Sequence, residues 1–534
     1  MADKNARICC FILEFMLKKL LNIHTYINCF QRLVVMKISC RKKTALNSKK
    51  DAILIPVYRN MRPLKSLTGK KIEDAINEMI GSDYFSYDEK EFSGFYVEIG
   101  KKLKKIYLVN ISKDPQELRY YMELGASFAK LLKKDRISSF SMIAFEDVYM
   151  DKKDPQYSAA FLDGFFFGQY AYDAYKTKQE KNWQFDEVEV ITSYAKLKRT
   201  MDDNAAGLNV QFENIYLAKD LVNTPPADLT PAIFADRIKE CAADGLKITV
   251  IDDMEELKER FPMVYAVGKG SSYPPRMVMM EYNGNPASEK HVALVGKGVT
   301  FDSGGSNLKP TGSIEDMKTD MAGAATVFAV TKTAAETGLK VNIKTYIPMV
   351  ENIIGTNAYK PGDILTSAMG KTVEILNTDA EGRLILADAL YTATKSDPEV
   401  IIDVATLTGA CIIALGKHCA GLFSNRKFLA KNITDISYDV AEDIWELPLL
   451  ESYQKRVKSD IADLRNIAKQ KGEAGSVIAG LFLQEFVDNW PWIHLDIAGP
   501  SYVEEDHPIF GKYATGFGIR LLNRFIKVHY AENA

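Results

Sequence analysis

The regular alternation of short apolar runs with helical patterns is the feature that most constrains the fold of this chain. Apolar runs such as residues 52–58 and 104–111 precede amphipathic stretches such as 116–134, and the same alternation returns from residue 247. This order is typical of parallel strands joined by crossover helices. The run 399–409 begins with a strand that is apolar on both faces, as in a sheet covered on both sides. The sequence therefore predicts an α/β fold with a mostly parallel central sheet in its second half.

The length of 534 residues predicts two domains, because single hydrophobic cores stop growing at roughly 250–300 residues. Two adjacent prolines in the segment 223–231 (NTPPADLTP) end a helix and force an extended turn, so we place the domain boundary there. The predicted parts are a disordered N-terminal extension at 1–50, a smaller α/β domain at 51–205, a linker helix at 206–225 and a larger α/β/α domain at 226–534.

Composition excludes several classes of protein. A net charge of −2 provides no long-range field that would attract nucleic acid or anionic membrane. The 7 cysteines form no CxxC pair, which indicates reduced thiols, and we expect a cytoplasmic protein. No run approaches the roughly 18–20 apolar residues of a membrane span, and the apolar run 8–17, the nearest to a signal-peptide core, is interrupted by Glu14. The 6 histidines include no HExxH pair, so a metal site would depend on carboxylates.

Charged side chains are concentrated in two loops of the second half, one after the strand 291–298 and one after the strand 372–376. Ligands bind beyond the carboxyl ends of strands in open α/β sheets, so these loops should converge with the loop after Ala405. The charged residues singled out in these two loops as candidates for chemistry are Lys297, Asp302, Lys309, Asp320, Asp379, Glu381 and Arg383.

Four carboxylates in one cleft cannot all stay ionised without protons or cations to neutralise them. Two divalent ions about 3.5–4 Å apart would share a water and polarise a carbonyl group. A single Asp in such a loop is more often a helix cap or turn residue, so residue spacing alone leaves both interpretations open.

The segment 377–384 (NTDAEGRL) is identical to the signature of the leucyl aminopeptidase (cytosol aminopeptidase) family. The block 295–327 also resembles that family throughout, as do 223–231 and 494–500 (HLDIAGP). The resemblance is strong over residues 210–525. It implies a metal-dependent exopeptidase, a protease that releases N-terminal amino acids, preferably leucine or other apolar residues, in intracellular peptide turnover. It also implies a homohexamer.

The resemblance assigns a metal-binding role to five residues. Asp302 and Glu381 would bridge two divalent ions, Mn²⁺ or Zn²⁺. Asp320 and Lys297 would complete the tighter site, and Asp379 would complete the exchangeable one. Lys297 must be neutral to act as a ligand, and two adjacent cations favour the neutral amine.

The resemblance also assigns catalytic and substrate-binding roles. Lys309 would stabilise the oxyanion of the tetrahedral intermediate, and Arg383 would hold a bicarbonate ion as general base. The apolar side-chain pocket would be lined by Met317, Thr406, Gly409 and Ala498. Ser501 occupies a further lining position that is often methionine in relatives, which leaves the preference for leucine open.

The sequence leaves three alternatives open. The basic residues between Lys37 and Lys50 could bind DNA, although a solvated tail is the simpler interpretation. A catalytically inactive member is disfavoured because every metal-ligating and catalytic position is filled. Another two-metal hydrolase, such as a phosphatase, would need a phosphate cradle, and the GxxxxGK[ST] spacing is missing here.

Overall fold

The computed structural model describes most of the chain, which divides into two compact units. The described residues are 36–42, 45–58, 65–149, 156–177, 183, 185–470 and 472–532. The first unit comprises residues 1–115, 129–158 and 169–209, and the second comprises 116–128, 159–168 and 210–534. The candidate signal segment 8–17 lies outside the described residues. None of the helices within the described ranges is both long and apolar enough to cross a bilayer.

The first unit is built on a six-stranded sheet in the order β1-β6-β5-β2-β4-β3. All neighbouring pairs are parallel except β3 with β4. Its strands are β1 (Lys37–Arg41), β2 (Ala52–Val57), β3 (Phe92–Ile99), β4 (Lys102–Asn110), β5 (Ser139–Ile143) and β6 (Glu187–Ile191). The predicted α/β class is thereby confirmed for this half.

The predicted disordered extension at 1–50 is wrong for residues 37–41, which form the edge strand β1. The basic side chains of this strand suggest a solvated tail in the sequence, but in the structure they pair with acidic residues of β6. Lys37 Nζ lies 3.6 Å from Glu187 and the Arg41 Nε lies 3.1 Å from Glu189, while Cys40 is buried.

The boundary between the units differs from the predicted one. The linker helix predicted at 206–225 is the last part of a longer helix, Ala195–Asn223, and the division falls at residues 209 and 210 inside it. Segments 116–128 and 159–168, predicted to belong to the N-terminal domain, group with the second unit. The helices up to this point are Lys65–Thr68, Lys70–Ile80, Leu118–Asp135, Phe145–Tyr149, Tyr157–Gln169 and Ala195–Asn223, with a 3-10 turn at Ala45–Asn47.

The second unit contains a nine-stranded sheet in the order β16-β15-β18-β14-β9-β11-β8-β7, with β10 added beside β11. Its strands are β7 (Leu246–Ile251), β8 (Arg276–Asn283), β9 (Val292–Gly296), β10 (Gly298–Asp302), β11 (Asn342–Asn352), β14 (Val400–Ala405), β15 (Cys419–Ser424), β16 (Asp443–Glu446) and β18 (Trp492–Asp496). Most pairs are parallel, and β9, β14 and β18 are fully buried, as expected for strands covered on both faces.

Two helices cover the centre of this sheet. Gly296, the last residue of β9, faces the helix Ala322–Glu336, and the next residue, Lys297, meets the first residue of the helix Gly382–Thr394. The remaining helices are Pro231–Glu240, Met254–Arg260, Pro262–Gly268, Gly409–Leu415, Lys427–Val440, Glu451–Gln454, Gly475–Gln484 and Ile519–His529, with 3-10 turns at Pro226–Asp228, Met317–Thr319 and Lys455–Val457.

The strand predicted at 372–376 does not belong to the large sheet. It forms β13 (Thr372–Glu374) in a separate three-stranded sheet between β12 (Ile364–Thr366) and β17 (Leu464–Arg465). The loop that follows β13 reaches the edge of the large sheet because the helix Gly382–Thr394 packs on β9, β11 and β14. A hairpin of β19 (Tyr502–His507) and β20 (Gly511–Ala514) completes the unit.

Candidate functional site

Two loops distant in sequence meet through the side chain of Thr378. Its hydroxyl donates to the Gly304 carbonyl at 2.6 Å and accepts from the Asn307 backbone N–H at 2.9 Å. Gly304 has a φ of +88°, in the left-handed region that favours glycine, and a Cβ there would lie 2.8 Å from Asp379 Oδ1. The loop after β10 is therefore fixed tightly against the loop that carries Asp379 and Glu381.

Three carboxylates converge at this junction. Ligand-capable oxygens of Asp302, Asp379 and Glu381 all lie within 4.8 Å of one another. Lys309 Nζ lies 2.8 Å from Asp302 Oδ2 and 2.5 Å from Asp379 Oδ1, so it bridges the two loops. The structure thus brings together four of the residues singled out from the sequence.

Lys297 connects the remaining carboxylate to this cluster. Its Nζ lies 2.8 Å from Asp320 Oδ1 and 3.0 Å from Glu381 Oε1, and it donates to the Thr406 carbonyl at 2.8 Å. Its side chain is almost completely buried. The approach is close because residue 382 is glycine: a Cβ at Gly382 would lie 2.3 Å from Lys297 Cε.

The electrostatics of the cluster are those of crowded, buried acids. Burial raises the pKa of Asp320 well above its ordinary value against the lowering effect of Lys297, and it also raises the pKa of Asp302 and of Asp379. Burial alone lowers the pKa of Lys297, but the negative charges of Asp320 and Glu381 outweigh it and the pKa is raised. Four carboxyl groups and two ammonium groups leave an excess of acid that further cations would neutralise.

The donor set fits divalent metal ions. Asp320 Oδ2 and Glu381 Oε2 are buried and have no hydrogen-bond partner among the described residues. Buried carboxylate oxygens rarely remain without a partner, and hard oxygen ligands suit Mn²⁺ and related divalent ions. These two oxygens, together with the Asp302, Asp379 and Glu381 cluster, are thus able to hold metal.

Arg383 is buried at the start of the helix Gly382–Thr394, next to the carboxylates. Its Nη1 donates to the Asn466 carbonyl at 2.6 Å, and its buried Nε has no hydrogen-bond partner in the described part of the chain. Burial lowers its pKa to about 10, so the guanidinium remains charged at neutral pH. The free N–H is a donor that an anionic ligand would satisfy.

Two of the four predicted pocket residues, Thr406 and Met317, are adjacent to Asp320. The Thr406 hydroxyl donates to Asp320 Oδ1 at 2.8 Å, and Met317 begins the turn that leads to Asp320. Gly409 is exposed at the start of the helix Gly409–Leu415, and Ala498 follows β18. Ser501 is buried near the end of the same loop as Ala498.

One residue that sequence reasoning missed anchors these pocket loops. Asp496 is fully buried, and its Oδ1 accepts from the backbone N–H of Leu407 at 3.1 Å and of Ala498 at 3.2 Å. Its Oδ2 accepts from the Thr408 hydroxyl at 2.6 Å. The signal was present: an acid at the end of a buried strand that lies beside β14.

Asn352 and Tyr359 were also missed. Asn352 pairs in register with Asp302 across β10 and β11, and its Nδ2 donates to Asp302 Oδ1 and to the Thr378 carbonyl. The Tyr359 hydroxyl donates to the same carbonyl at 2.7 Å. A polar residue at the end of β11, at the same edge as the charged loops, was the available signal for Asn352.

Known proteins resemble this chain over most of its length. A profile of the cytosol aminopeptidase family, catalytic domain, matches residues 216–523. A probable cytosol aminopeptidase of Syntrophotalea carbinolica is 37% identical over 485 residues, covering 90% of this chain and 97% of the relative. A probable cytosol aminopeptidase of Chlamydia caviae is 36% identical, covering 92% of this chain and 97% of its own length.

Solved structures agree with the sequence comparisons. The crystal structure of cytosol aminopeptidase from Coxiella burnetii superposes with a TM-score of 0.76 and 31% identity, covering 92% of this chain and 99% of that protein. The bottromycin maturation enzyme BotP in complex with Mn superposes with a TM-score of 0.76 and 30% identity, covering 90% of this chain and 99% of BotP.

Proposed function

This chain belongs to the cytosol aminopeptidase family and is a hydrolase of that class, and from this premise we propose that it cleaves N-terminal residues by a two-metal mechanism. The observation that carries the proposal is the convergence of Asp302, Asp379 and Glu381 from two distant loops, bridged by Lys309. The partnerless buried oxygens of Asp320 and Glu381 support the same conclusion.

Five side chains would hold the metal ions. They are Lys297, Asp302, Asp320, Asp379 and Glu381, which would together hold two divalent ions. When bound, the ions supply an activated water and a Lewis acid for the substrate carbonyl. Mn²⁺ is the first candidate because BotP was solved in complex with Mn, and Zn²⁺ is the alternative.

Lys309 and Arg383 would act on the reacting groups without being metal ligands. The Lys309 ammonium, held between Asp302 and Asp379, would donate to the oxygen that becomes negative as the carbonyl is attacked. Arg383 would hold bicarbonate through its partnerless Nε–H, and a general base is what that ion supplies when bound. The absence of a side chain at Gly382 leaves room for Lys297 beside Asp320 and Glu381.

The proposed pocket favours apolar side chains, leucine among them. Met317, Thr406, Gly409 and Ala498 would line it, and Asp496 fixes the loops that carry the last three. Apolar pockets separate similar side chains by only about 1–3 kcal/mol, so we expect broad specificity.

Three properties of the family extend the proposal: a cytoplasmic location, a role in peptide turnover and a homohexamer. Light scattering would give a mass near six times the chain mass of 59.9 kDa. A DNA-binding role receives less support, because Lys37 and Arg41, although exposed, lie within ion-pair distance of Glu187 and Glu189 in β6.

One assay tests the proposal at low cost. Leucine p-nitroanilide hydrolysis is measured with Mn²⁺, after treatment with a chelator, and after Mn²⁺ is restored. We expect activity to be lost with the chelator and recovered with the metal. Activity that is indifferent to chelation would refute the metal-dependent mechanism.

A further inference from the structure

Asn466 is a fully buried amide that lies beside the candidate active site and belongs to neither the carboxylate cluster nor the pocket. It follows β17 in the small three-stranded sheet, and its backbone N–H donates to the Glu374 carbonyl at 3.0 Å. It therefore lies alongside the strand whose loop carries Asp379 and Glu381.

The side chain of Asn466 continues this pairing beyond the end of the sheet. Its Oδ1 accepts from the Leu376 N–H at 2.9 Å and from the Asn377 N–H at 3.4 Å, while its Nδ2 donates to the Asn377 carbonyl at 2.6 Å. The Asn466 amide thus pairs with the N–H groups of Leu376 and Asn377 and with the Asn377 carbonyl, where the loop begins.

Asn466 also influences the candidate metal ligand Asp379, through Asn377. The Asn377 side chain, whose backbone is held by Asn466, accepts from the Asp379 N–H at 2.9 Å. The conformation of residues 376–379 is therefore determined by Asn466 on one side and by the Thr378 contacts on the other.

The backbone of Asn466 holds the second catalytic candidate. Its carbonyl accepts from Arg383 Nη1 at 2.6 Å, and this is the hydrogen bond that orients the buried guanidinium. One residue thus touches both the start of the metal-binding loop and the arginine, from a segment about 80 residues further along the chain.

We infer that Asn466 is a positioning residue that sets Arg383 and the Asp379 loop in register with each other. The inference rests on the roles assigned to Arg383 and Asp379 under the proposed function. Asn466 touches no reacting group, so it acts through Arg383 and the loop. Misplacing catalytic groups by about 1 Å costs on the order of 10²-fold in rate, which makes a buried amide at this junction consequential.

Two substitutions remove the side-chain contacts of Asn466 with the loop, while its backbone carbonyl, which accepts from Arg383, is retained. Asn466→Ala deletes the donor and the acceptor, and Asn466→Asp keeps the size and one acceptor oxygen but opposes the Asn377 carbonyl with a second oxygen. The aspartate variant replaces the Nδ2 amide by an oxygen and leaves no cavity. If the alanine variant does not fold, the same measurements are made on the aspartate variant.

Asn425→Ala is the matched control. The Asn425 amide brackets backbone in the same way, with Nδ2 donating to the Trp490 carbonyl at 2.8 Å and Oδ1 accepting from the Trp492 N–H at 3.0 Å. It contacts neither Arg383 nor the loop 376–379. Asn425→Ala therefore measures how the loss of such a buried amide changes stability and activity when the candidate active site is not touched.

The experiment measures kcat and KM on leucine p-nitroanilide with Mn²⁺, Mn²⁺ affinity by calorimetry and the melting temperature by circular dichroism. We expect both Asn466 variants to lower kcat by ~10-fold or more, with KM changed less than ~3-fold and Mn²⁺ bound more weakly. Asn425→Ala should leave kcat within ~2-fold of wild type, whatever its melting temperature.

A double-mutant comparison separates this inference from the proposed function. Because the Asn466 side chain holds the loop while its carbonyl holds Arg383, the kcat losses of Asn466→Ala and Arg383→Ala should be less than additive if the residue sets the two in register. Fully additive losses, or a folded Asn466 variant with wild-type kcat, would overturn the positioning role. Wild-type activity in Arg383→Ala would instead refute the catalytic role proposed for the arginine itself.

Discussion

Substituting Gly382 by alanine isolates the contact that places Lys297. The added Cβ would lie 2.3 Å from Lys297 Cε and 2.6 Å from its Nζ, so Cε would have to retreat by about 1.1 Å to reach ordinary contact at 3.4 Å. Lys297 has no free space to accept that shift, because it is buried and its Nζ is held by Asp320, Glu381 and the Thr406 carbonyl.

The expected loss in activity is large and the loss in stability small. A displacement of about 1 Å corresponds to roughly 10²-fold in kcat, or about 2.7 kcal/mol of transition-state stabilisation. Overpacking typically lowers the free energy of unfolding by about 1–3 kcal/mol. Alanine forms helices better than glycine, which offsets up to about 1 kcal/mol of that loss.

The assay is leucine p-nitroanilide turnover together with Mn²⁺ calorimetry and urea unfolding. Gly382→Ala should lower kcat ~10²-fold and weaken Mn²⁺ binding while the protein stays folded. Gly81→Ala is the control, because it ends a helix at an ordinary φ of −81° and its Cβ would meet only carbonyl oxygens, the nearest at 3.3 Å. Wild-type kcat and Mn²⁺ affinity in Gly382→Ala would refute the reasoning.

Three further predictions follow from single side chains. Lys309→Ala should lower kcat ~10²-fold or more while bound metal, measured by mass spectrometry, is retained; unchanged turnover would contradict its role. Asp496→Asn should raise KM for leucine p-nitroanilide more than it lowers kcat, because a buried acceptor for both pocket loops is weakened; an unchanged KM would contradict this. Asp388→Asn should cost about 1–3 kcal/mol in urea unfolding, because the buried carboxylate accepts from three backbone N–H groups; unchanged unfolding would argue against it.

The α/β class could be predicted from the sequence because the pattern of buried strands and amphipathic helices is local. The segment 399–409 identified β14 since a strand covered on both faces is apolar throughout. Edge strand β1 was missed for the opposite reason. Its Lys37 and Arg41 suggest a solvated tail, and only the partner strand supplies the acids that pair with them.

The charged residues of the site were identified from spacing and resemblance, but the residues that hold them were not. Asn352, Asn466 and Asp496 act through hydrogen bonds to backbone groups 26 to 90 residues away in sequence. The strand-end positions of Asn352 and Asp496 place them at the same edge as the charged loops, but no local pattern shows which backbone groups they hold. The strand 372–376 was likewise assigned to the wrong sheet, because an apolar run does not reveal which neighbour it pairs with.

In the proposed mechanism, carboxylates from two distant loops hold a pair of divalent ions. Manganese counted per chain by elemental mass spectrometry, in the wild type and in Glu381→Ala, tests it most directly. We predict two ions per wild-type chain, and fewer than one in the variant, since Glu381 would bridge both. One ion or none in an active wild-type enzyme, or two ions retained in Glu381→Ala, would contradict the account.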